Sequence, residues 1–583
     1  MTRVVRRTTA IDPDELPTVW HPVVRRVLAA RGIASADDLD MRLAGLANPN
    51  RMTDGPRAAG LIADVIQAGG RILVVGDFDA DGATSCALAV RALRALGALS
   101  ASYLVPNRFE YGYGLSPEIA AIAAEKSPDL VITVDNGITS HAGVSALEQA
   151  GIPVVVTDHH LPADSLPDAS AVVDPNRADD PHPGTSLAGV GVVFHVMLGV
   201  RAYLREQGWF ASQDEPALAE LLDLVALGTV ADVVALDRTN RILVEQGLRR
   251  IRAGVGVPGI RALLERAGRD AGNLSASDLG YAVAPRLNAA GRLDDMTVGI
   301  ECLLADDMDH AGELATSLDG LNRERQRIEG RMRDEAIASV ETLRGQFDDG
   351  TLPAGLCVSS ADWHEGIVGI VAGRLKDYFR RPVVALAPSG DGEALKGSAR
   401  SIAGVHMRDV LASVDARYPG VIQRFGGHAM AAGLTIPWGC RDDFETAFTQ
   451  VVAEWVSPEI LQGCLYDDGA LAPEDFTQEL AATLRTFAPW GEGFPEPVFS
   501  NHFRIQQRRV VGDRHLKMVV LPEGDGPSVE AIAFNALDYG WDSVGPEAML
   551  TYRLDINRYR GRERLQLVVE DIQDTRHRSP EVR

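Results

Sequence analysis

Between residues 71 and 173 five short apolar runs, Ile72–Val75, Ser102–Val105, Leu130–Val134, Val154–Val156 and Ala171–Val173, alternate with helical patterns such as Ala83–Leu96 and His141–Ala150. Runs this short and this continuously apolar are buried on both faces. Strands joined by amphipathic crossover helices pair in parallel, because each crossover returns the chain to the same end of the sheet. The pattern predicts a doubly wound α/β domain, a parallel sheet with helices on both sides. In such a sheet the ligand site lies beyond the carboxyl ends of the strands, so the residues following each run are the ones to read for chemistry.

Those residues are acidic. The first run leads into GDFDADG, Gly76 to Gly82, with Asp77, Asp79 and Asp81 at alternate positions; later runs lead into Asp135 of VDNGI, into the tripeptide Asp158, His159, His160, and into Asp174. One aspartate at a strand end is most often a helix N-cap or turn residue. Four strand ends that bring carboxylates and imidazoles to one rim need another explanation, because buried together they repel one another and their pKa values rise. Divalent cations remove that repulsion. The candidate ligands are hard oxygens or imidazole, with no thiolate among them, which favours Mn²⁺ or Mg²⁺ over zinc. The set suits two ions about 3.5–4 Å apart, an arrangement that activates water and stabilises the leaving oxygen in phosphoester cleavage. Side chains alternate along extended backbone. Asp79 and Asp81 are therefore expected in one cleft, with Asp77 directed elsewhere or behind them. By the same rule one of His159 and His160 reaches an ion and the other meets a substrate phosphate.

With 583 residues the chain exceeds what one core supports. A mostly helical region follows from Leu187 to about Arg250, and Ala311–Leu343, rich in helix formers, is expected to be a long connecting helix. A second, smaller α/β region starts near Leu352 with GLCVSS, IVGIVAGRLKDYF, PVVALAP, EALKGSARS and FGGHAMAAGLTI. Beyond Pro458–Pro473 the pattern is β, with five strands over Phe503–Val511, Leu516–Leu521, Val529–Phe534, Ala548–Tyr559 and Arg564–Ile572. Five short antiparallel strands suit an OB-like barrel, a fold that often binds single strands. The expected organisation is an N-terminal segment (1–45), a catalytic domain with helical extension (46–308), the connecting helix (309–345), the second α/β domain (346–457) and the barrel domain (458–583).

A formal net charge of −24 by itself argues against a polyanionic partner. Arginines nevertheless gather in Leu321–Glu335 and Phe503–Lys517, runs that also read as solvated faces laced with ion pairs. Cys86, Cys302, Cys357, Cys440 and Cys464 form no CxxC pair, which fits a reducing compartment rather than a disulfide framework. The N-terminus lacks the apolar core of a signal peptide, and no run is long enough to span a bilayer. A soluble, cytoplasmic protein is expected.

GDFDADG, VDNGI, TDHH and GTVADVVAL, the last with Asp232, together resemble the DHH phosphoesterases. NRFEYGYGL, PRLNAAGRLDD, WHEGIVGIVAGRL, GSARS, RFGGHAMAAG and PWGEGFPEPVF narrow the resemblance to the RecJ family of single-stranded-DNA exonucleases, over about residues 45–575. The resemblance implies a 5′→3′ exonuclease that releases 5′-mononucleotides in DNA repair and recombination. It implies two Mn²⁺ or Mg²⁺ ions, one on Asp79 and Asp135 and the other on Asp81, Asp135, His159 and Asp232, with His160 at the scissile phosphate. Related pyrophosphatases carry a histidine where Val75 stands here, so Asp77 or water is expected to complete the first ion's shell. The second α/β region resembles the DHHA1 domain. There Ser398 and Arg400, together with Arg108, are expected to anchor a terminal 5′-phosphate, a role to which an Arg fork and a hydroxyl are suited. Gly426, Gly427 and His428 are expected to meet the substrate, and Arg286, Asn288 and Arg292 to line its channel. Tyr111 and Tyr113 could stack on bases. By family implication the partners are single-stranded DNA, a single-strand-binding protein and a RecQ-type helicase, the protein being a monomer. The rival readings are a DHH phosphodiesterase of short oligonucleotides or cyclic dinucleotides, which would leave the barrel unexplained, and a non-catalytic single-strand-binding scaffold, which would leave the intact ligand set unexplained.

Overall fold

The computed structural model describes residues 3–107, 110–111, 114–344, 352–390, 392–524, 526–559 and 562–574. Arg108 and Tyr113 lie outside them. The chain forms two compact units, one of Val5–Gly291, Asp295–Asp319 and the chain from Tyr466 onward, the other chiefly Gly320–Leu465 with Arg292–Asp294.

In the first unit the five apolar runs become β1 (Arg71–Gly76), β2 (Ser100–Leu104), β3 (Leu130–Val134), β4 (Val154–Thr157) and β5 (Ala171–Val173). They pair in parallel in the order β2-β1-β3-β4-β5. The chain leaves β1 towards one edge and returns to β3 on its other side, so strand order reverses between β1 and β3. That switch point is where a doubly wound sheet opens a crevice, and it lies under GDFDADG and VDNGI. The helices that matter for the site are α1 (Ala80–Ala95), α2 (Gly189–Glu206), α3 (Leu222–Ala231), α4 (Arg238–Arg252) and α5 (Ala284–Leu293). α1 is buried along most of its length, from Ala80 to Leu93, which accounts for its small residues.

The barrel belongs to the same unit. Its strands are Phe499–Val511, His515–Pro522, Val529–Ala533, Glu547–Tyr559 and Arg562–Asp574, and the sheet is closed. Not all pairs are antiparallel, as the sequence suggested: Val529–Ala533 runs parallel to Arg562–Asp574. Closure requires the third and fifth strands to meet, and an up-and-down reading of consecutive strands does not contain that pairing. Phe503 and Tyr552, from two of the barrel's strands, are buried in ring contact with each other and with Phe476, which precedes the barrel.

The long helix α6 (Met308–Arg344) runs into the second unit, where Met332, Ala336 and Val340 join a core with Trp363, Val371 and Leu375. This unit holds a mixed sheet of Leu356–Ser359, Val383–Pro388, Ala394–Arg400, Ala431–Pro437 and Arg424–Gly427, in that spatial order, with only the first pair parallel. Helix α7 (Val368–Phe379) packs on it. No helix among the described residues is long and apolar enough to cross a membrane.

Candidate metal centre

The chain leaves β1 at Gly76 and turns at once. Asp79 is the N-cap of α1, its Oδ1 accepting the amide N–H groups of Asp81 (2.9 Å) and Gly82 (3.0 Å). GDFDADG is therefore a tight strand-to-helix turn, and the alternation expected of extended backbone does not apply. Its closeness is enforced by glycine: a Cβ on Gly82 would stand 2.4 Å from the Asp77 carbonyl oxygen, and one on Gly291 1.8 Å from that of Phe78. Asn288 holds the same turn from α5, its Oδ1 accepting the Ala80 N–H at 2.8 Å.

Two acidic groups result. Asp77, Asp79 and Asp135 bring ligand atoms within 4.8 Å of one another, so Asp77 faces the cluster, a direction the alternation argument did not give it. Asp81, His159 and Asp232 form a second group on the same criterion of 4.8 Å. His159 Nε2 lies 3.1 Å from Asp135 Oδ1, 3.5 Å from Asp232 Oδ2 and 4.0 Å from Asp81 Oδ2. Asp135 thus adjoins both groups. It has a left-handed φ of 60°, as does Val233, with φ 62°, beside Asp232. Such backbone in residues other than glycine stores strain of order 1–3 kcal/mol and marks a position held by its surroundings. At Asp135 the holding is visible: its N–H donates to the Thr157 carbonyl at 3.1 Å, and Asn136 Nδ2 donates to the Val75 carbonyl at 3.1 Å. Asp81 is oriented by the first turn of α2, accepting from Gly189 N–H (2.6 Å) and Val190 N–H (3.0 Å).

Burial and mutual repulsion push the Asp81 carboxyl up to about 7 and those of Asp135 and Asp232 well above the usual range. His160 goes the other way from a buried imidazole. Burial lowers its pKa, but the hydrogen bond from its Nδ1 to Asp158 Oδ1 (2.7 Å) and that carboxylate's charge outweigh it and raise the pKa to about 9. Asp158, beneath the site, also accepts from Ile138 N–H at 2.9 Å. Both imidazoles face the cluster, since Asp135, His159 and His160 also bring ligand atoms together within 4.8 Å. The cause is again a turn, with Asp158 Oδ1 accepting the His159 N–H at 2.7 Å just after β4. Asp158 was legible only as part of a tripeptide; its adjacency to the histidines was the sole signal of its anchoring role.

Crowded buried carboxylates whose protons are held abnormally tightly, with one imidazole in reach, suit small hard divalent cations. Mn²⁺ and Mg²⁺ fit this donor set.

The remaining candidates divide. Arg286 makes an ion pair with Asp319 at 2.9 Å, and Asn288 is spent on the Ala80 turn, so both are engaged inside the fold. Arg292 Nη1 donates to the Gly366 carbonyl at 3.2 Å in the second unit, and Tyr111 is partly exposed. Ser398 and Arg400 lie together, Arg400 Nη1 donating to Ser398 Oγ at 2.9 Å. Burial lowers the pKa of Arg400, and among the described residues no carboxylate pairs with it. Gly369, in the first turn of α7, closes this pocket: a Cβ there would stand 3.0 Å from both Arg400 Nη2 and Ser398 Oγ. Gly426 and Gly427 end one strand of a tight hairpin whose turn carries His428. The φ of Gly427 is 144°, and the His428 N–H donates to the Ala431 carbonyl at 2.7 Å.

A doubly wound sheet whose switch point carries a DHH turn and a five-carboxylate, two-imidazole cluster defines a protein of the DHH class. Residues 71–229 match the DHH family N-terminal domain, residues 354–454 the DHHA1 domain and residues 467–571 the RecJ OB domain. The chain is 52% identical to the single-stranded-DNA-specific exonuclease RecJ of Escherichia coli K12, over 97% of this chain and 98% of that protein. It is 32% identical to the Bacillus subtilis protein of the same description, over 94% of this chain and 68% of that one. The crystal structure of RecJ in complex with Mn²⁺ from Thermus thermophilus superposes with a TM-score of 0.80 at 30% identity, covering 99% of this chain and 79% of that one. The chain belongs to the RecJ family.

Proposed function

We infer that the protein is a single-stranded-DNA-specific exonuclease, a phosphodiester hydrolase dependent on Mn²⁺ or Mg²⁺. It works from the 5′ end and releases 5′-mononucleotides. The observation that carries the chemistry is the cluster around Asp135, with His159 Nε2 at 3.1 Å and the carboxylates of Asp81 and Asp232 alongside. Asp81, Asp135, His159 and Asp232 hold one ion; Asp79 and Asp135, with Asp77 in place of the missing imidazole at Val75, hold the other. Bound there, two divalent cations supply Lewis-acid charge and an acidified water at neutral pH.

The chain's own groups do the rest. Asp158 orients His160 through its Nδ1 and raises its pKa, so His160 presents a hydrogen-bond donor to a non-bridging oxygen of the scissile phosphate, where charge grows during displacement. Ser398 and Arg400 receive the terminal 5′-phosphate and give the enzyme its polarity, with Arg108 as a further contact. Gly426, Gly427 and His428 approach the strand from their hairpin. Asn288 and Arg286 act from behind, by bracing the metal-binding turn and α5. The barrel holds the strand through phosphate contacts and stacking. The cellular setting that fits is DNA repair and recombination in the cytoplasm, as a monomer working with a single-strand-binding protein and a RecQ-type helicase.

The test is the product profile with Mn²⁺ from long single-stranded DNA labelled at either end. Immediate release of a labelled mononucleotide from the 5′-labelled strand, with gradual shortening of the 3′-labelled one, is expected. Inactivity on that DNA with cleavage of dinucleotides only would overturn the reading.

A further inference from the structure

The segment PWGEGFPEPVF, Pro489 to Phe499, leads into the barrel and takes no part in the chemistry described so far. Its first half is clamped onto the turn that carries Asp232. The Leu236 N–H donates to the Glu492 carbonyl at 2.7 Å. A Cβ on Gly491 would stand 2.7 Å from Leu236 Cδ1, and one on Gly493 3.3 Å from Ala235 Cβ, so the two backbones meet closely. Arg241 bridges them: its guanidinium carbon lies 4.5 Å from the Phe494 ring centre, while Nη1 donates to the Leu236 carbonyl at 3.0 Å. Trp490 stacks on Phe494 with centroids 5.1 Å apart and planes at 10°. Arg31 lies over Trp490 at 5.3 Å and grips Asp468 through two hydrogen bonds of 2.8 and 2.9 Å.

This lattice lies just past a strained residue. Asp232 closes α3, and Val233 follows it in left-handed backbone, φ 62°, with its side chain largely exposed. A β-branched residue there is a genuine outlier, and such strain persists only where the surroundings over-determine it. Val233 buries little to hold itself. The restraint comes from two residues further on, where Leu236 is fixed on one side by Glu492 and Arg241, and Ala235 by Asn240 Nδ2 at 2.8 Å.

We propose that Trp490–Phe494 is a positioning element for Asp232, a clasp that fixes this carboxylate at the ion site and couples ion affinity to the barrel's lead-in. The proposal rests on Asp232 being an ion ligand. It also gives the glycines of PWGEGF a reason: close approach to Ala235 and Leu236. Coupling of this kind is reciprocal, so ion binding in turn tightens the clasp.

The experiment measures Mn²⁺ binding directly, by electron paramagnetic resonance of the free ion, on the full chain and on Arg241→Met and Phe494→Leu. Phe476→Leu, which alters ring contacts with Phe503 and Tyr552 and none of the clasp contacts named above, is the control. Expected is an about tenfold loss of Mn²⁺ affinity in the two clasp variants, with kcat at saturating Mn²⁺ within about threefold of the parent. The control should bind as the parent does. Clasp variants that bind Mn²⁺ like the parent, or a control that loses as much affinity as they do, would overturn the proposal. A parent that binds no Mn²⁺ would bring down the metal-centre reading and the clasp with it, which distinguishes the two failures. Should the variants not fold, hydrogen exchange of the unaltered chain decides: Mn²⁺ slows exchange of the Leu236 N–H, and unchanged exchange refutes the coupling.

Discussion

The two α/β units carry opposite electrostatic problems. At the switch point of the parallel sheet, Asp81 and Asp135 are buried beside Asp77 and Asp232, and their protons are held far more tightly than an aspartate's usually are. In the mixed sheet, Arg400 sits half-buried with a serine and a backbone carbonyl as its hydrogen-bond partners and no described carboxylate beside it. A charge withdrawn from water without its counter-charge is costly. The donor set of the first site suits cations, and that of the second suits an anion.

The largest test of this contrast removes the carboxylate that adjoins both acidic groups. Asparagine is the right replacement at residue 135, because it tolerates the left-handed φ of 60° that alanine would strain against. Asp135→Asn should lower hydrolysis by roughly three orders of magnitude, about 4 kcal/mol of barrier. It should also abolish the rise in melting temperature that Mn²⁺ gives the parent by mass action. A variant still stabilised by Mn²⁺ would show that the cluster is not where the ions sit.

His160 is the exception inside the acidic site, an imidazole whose pKa the hydrogen bond to Asp158 raises. His160→Gln keeps a hydrogen-bond donor and loses the imidazole, and should lower kcat by about 100-fold. Mn²⁺ affinity should change by no more than about threefold, much less than for loss of a ligand. A parallel collapse of Mn²⁺ affinity would make His160 a ligand instead of a phosphate contact.

On the other side of the comparison, Arg400→Ala should weaken kcat/KM on 5′-phosphorylated ends by roughly 10- to 100-fold, the value of a charge-assisted fork. Ends bearing a 5′-hydroxyl should be little affected. Equal losses on both kinds of end would remove the anion from this pocket. Arg400→Met should leave folding stability unchanged or raise it slightly, because it withdraws a charge that has no carboxylate partner among the described residues.

How far the sequence reached follows the same division between regular and irregular backbone. β3 and β5 stand where the apolar runs stood, Leu130–Val134 and Ala171–Val173, because continuous burial on both faces leaves its mark residue by residue. The barrel strand His515–Pro522 alternates strictly between buried and half-exposed positions, the period a one-dimensional pattern can carry. The parallel pairing of Val529–Ala533 with Arg562–Asp574 was hidden, since partner and direction depend on closure across the intervening chain. The direction of Asp77 was open for a related reason. It is set by the turn at Asp79, and the alternation argument presumes that the chain goes straight on. The ligand types were legible because chemistry restricts them; which side each faces was not, because a turn decides it.

The smallest effect separates two arginines that the sequence could not tell apart. Arg286 has what Arg400 lacks among the described residues, a carboxylate partner, here Asp319 at 2.9 Å, with both side chains largely buried. Arg286→Met takes this partner from Asp319 and should cost roughly 1–3 kcal/mol of folding stability. Asp319→Leu alone strands the guanidinium. The double variant Arg286→Met/Asp319→Leu removes both charges together, so most of the stability should return, and a double-mutant cycle measures the coupling. On single-stranded DNA the double variant should keep kcat/KM within about twofold, small against the roughly 10- to 100-fold expected of a lost charge-assisted contact. If KM rises tenfold while stability is restored, Arg286 touches the strand in spite of its partner. An internal ion pair would then no longer separate bracing arginines from binding ones, and the contrast between the two sites would rest on Arg400 alone.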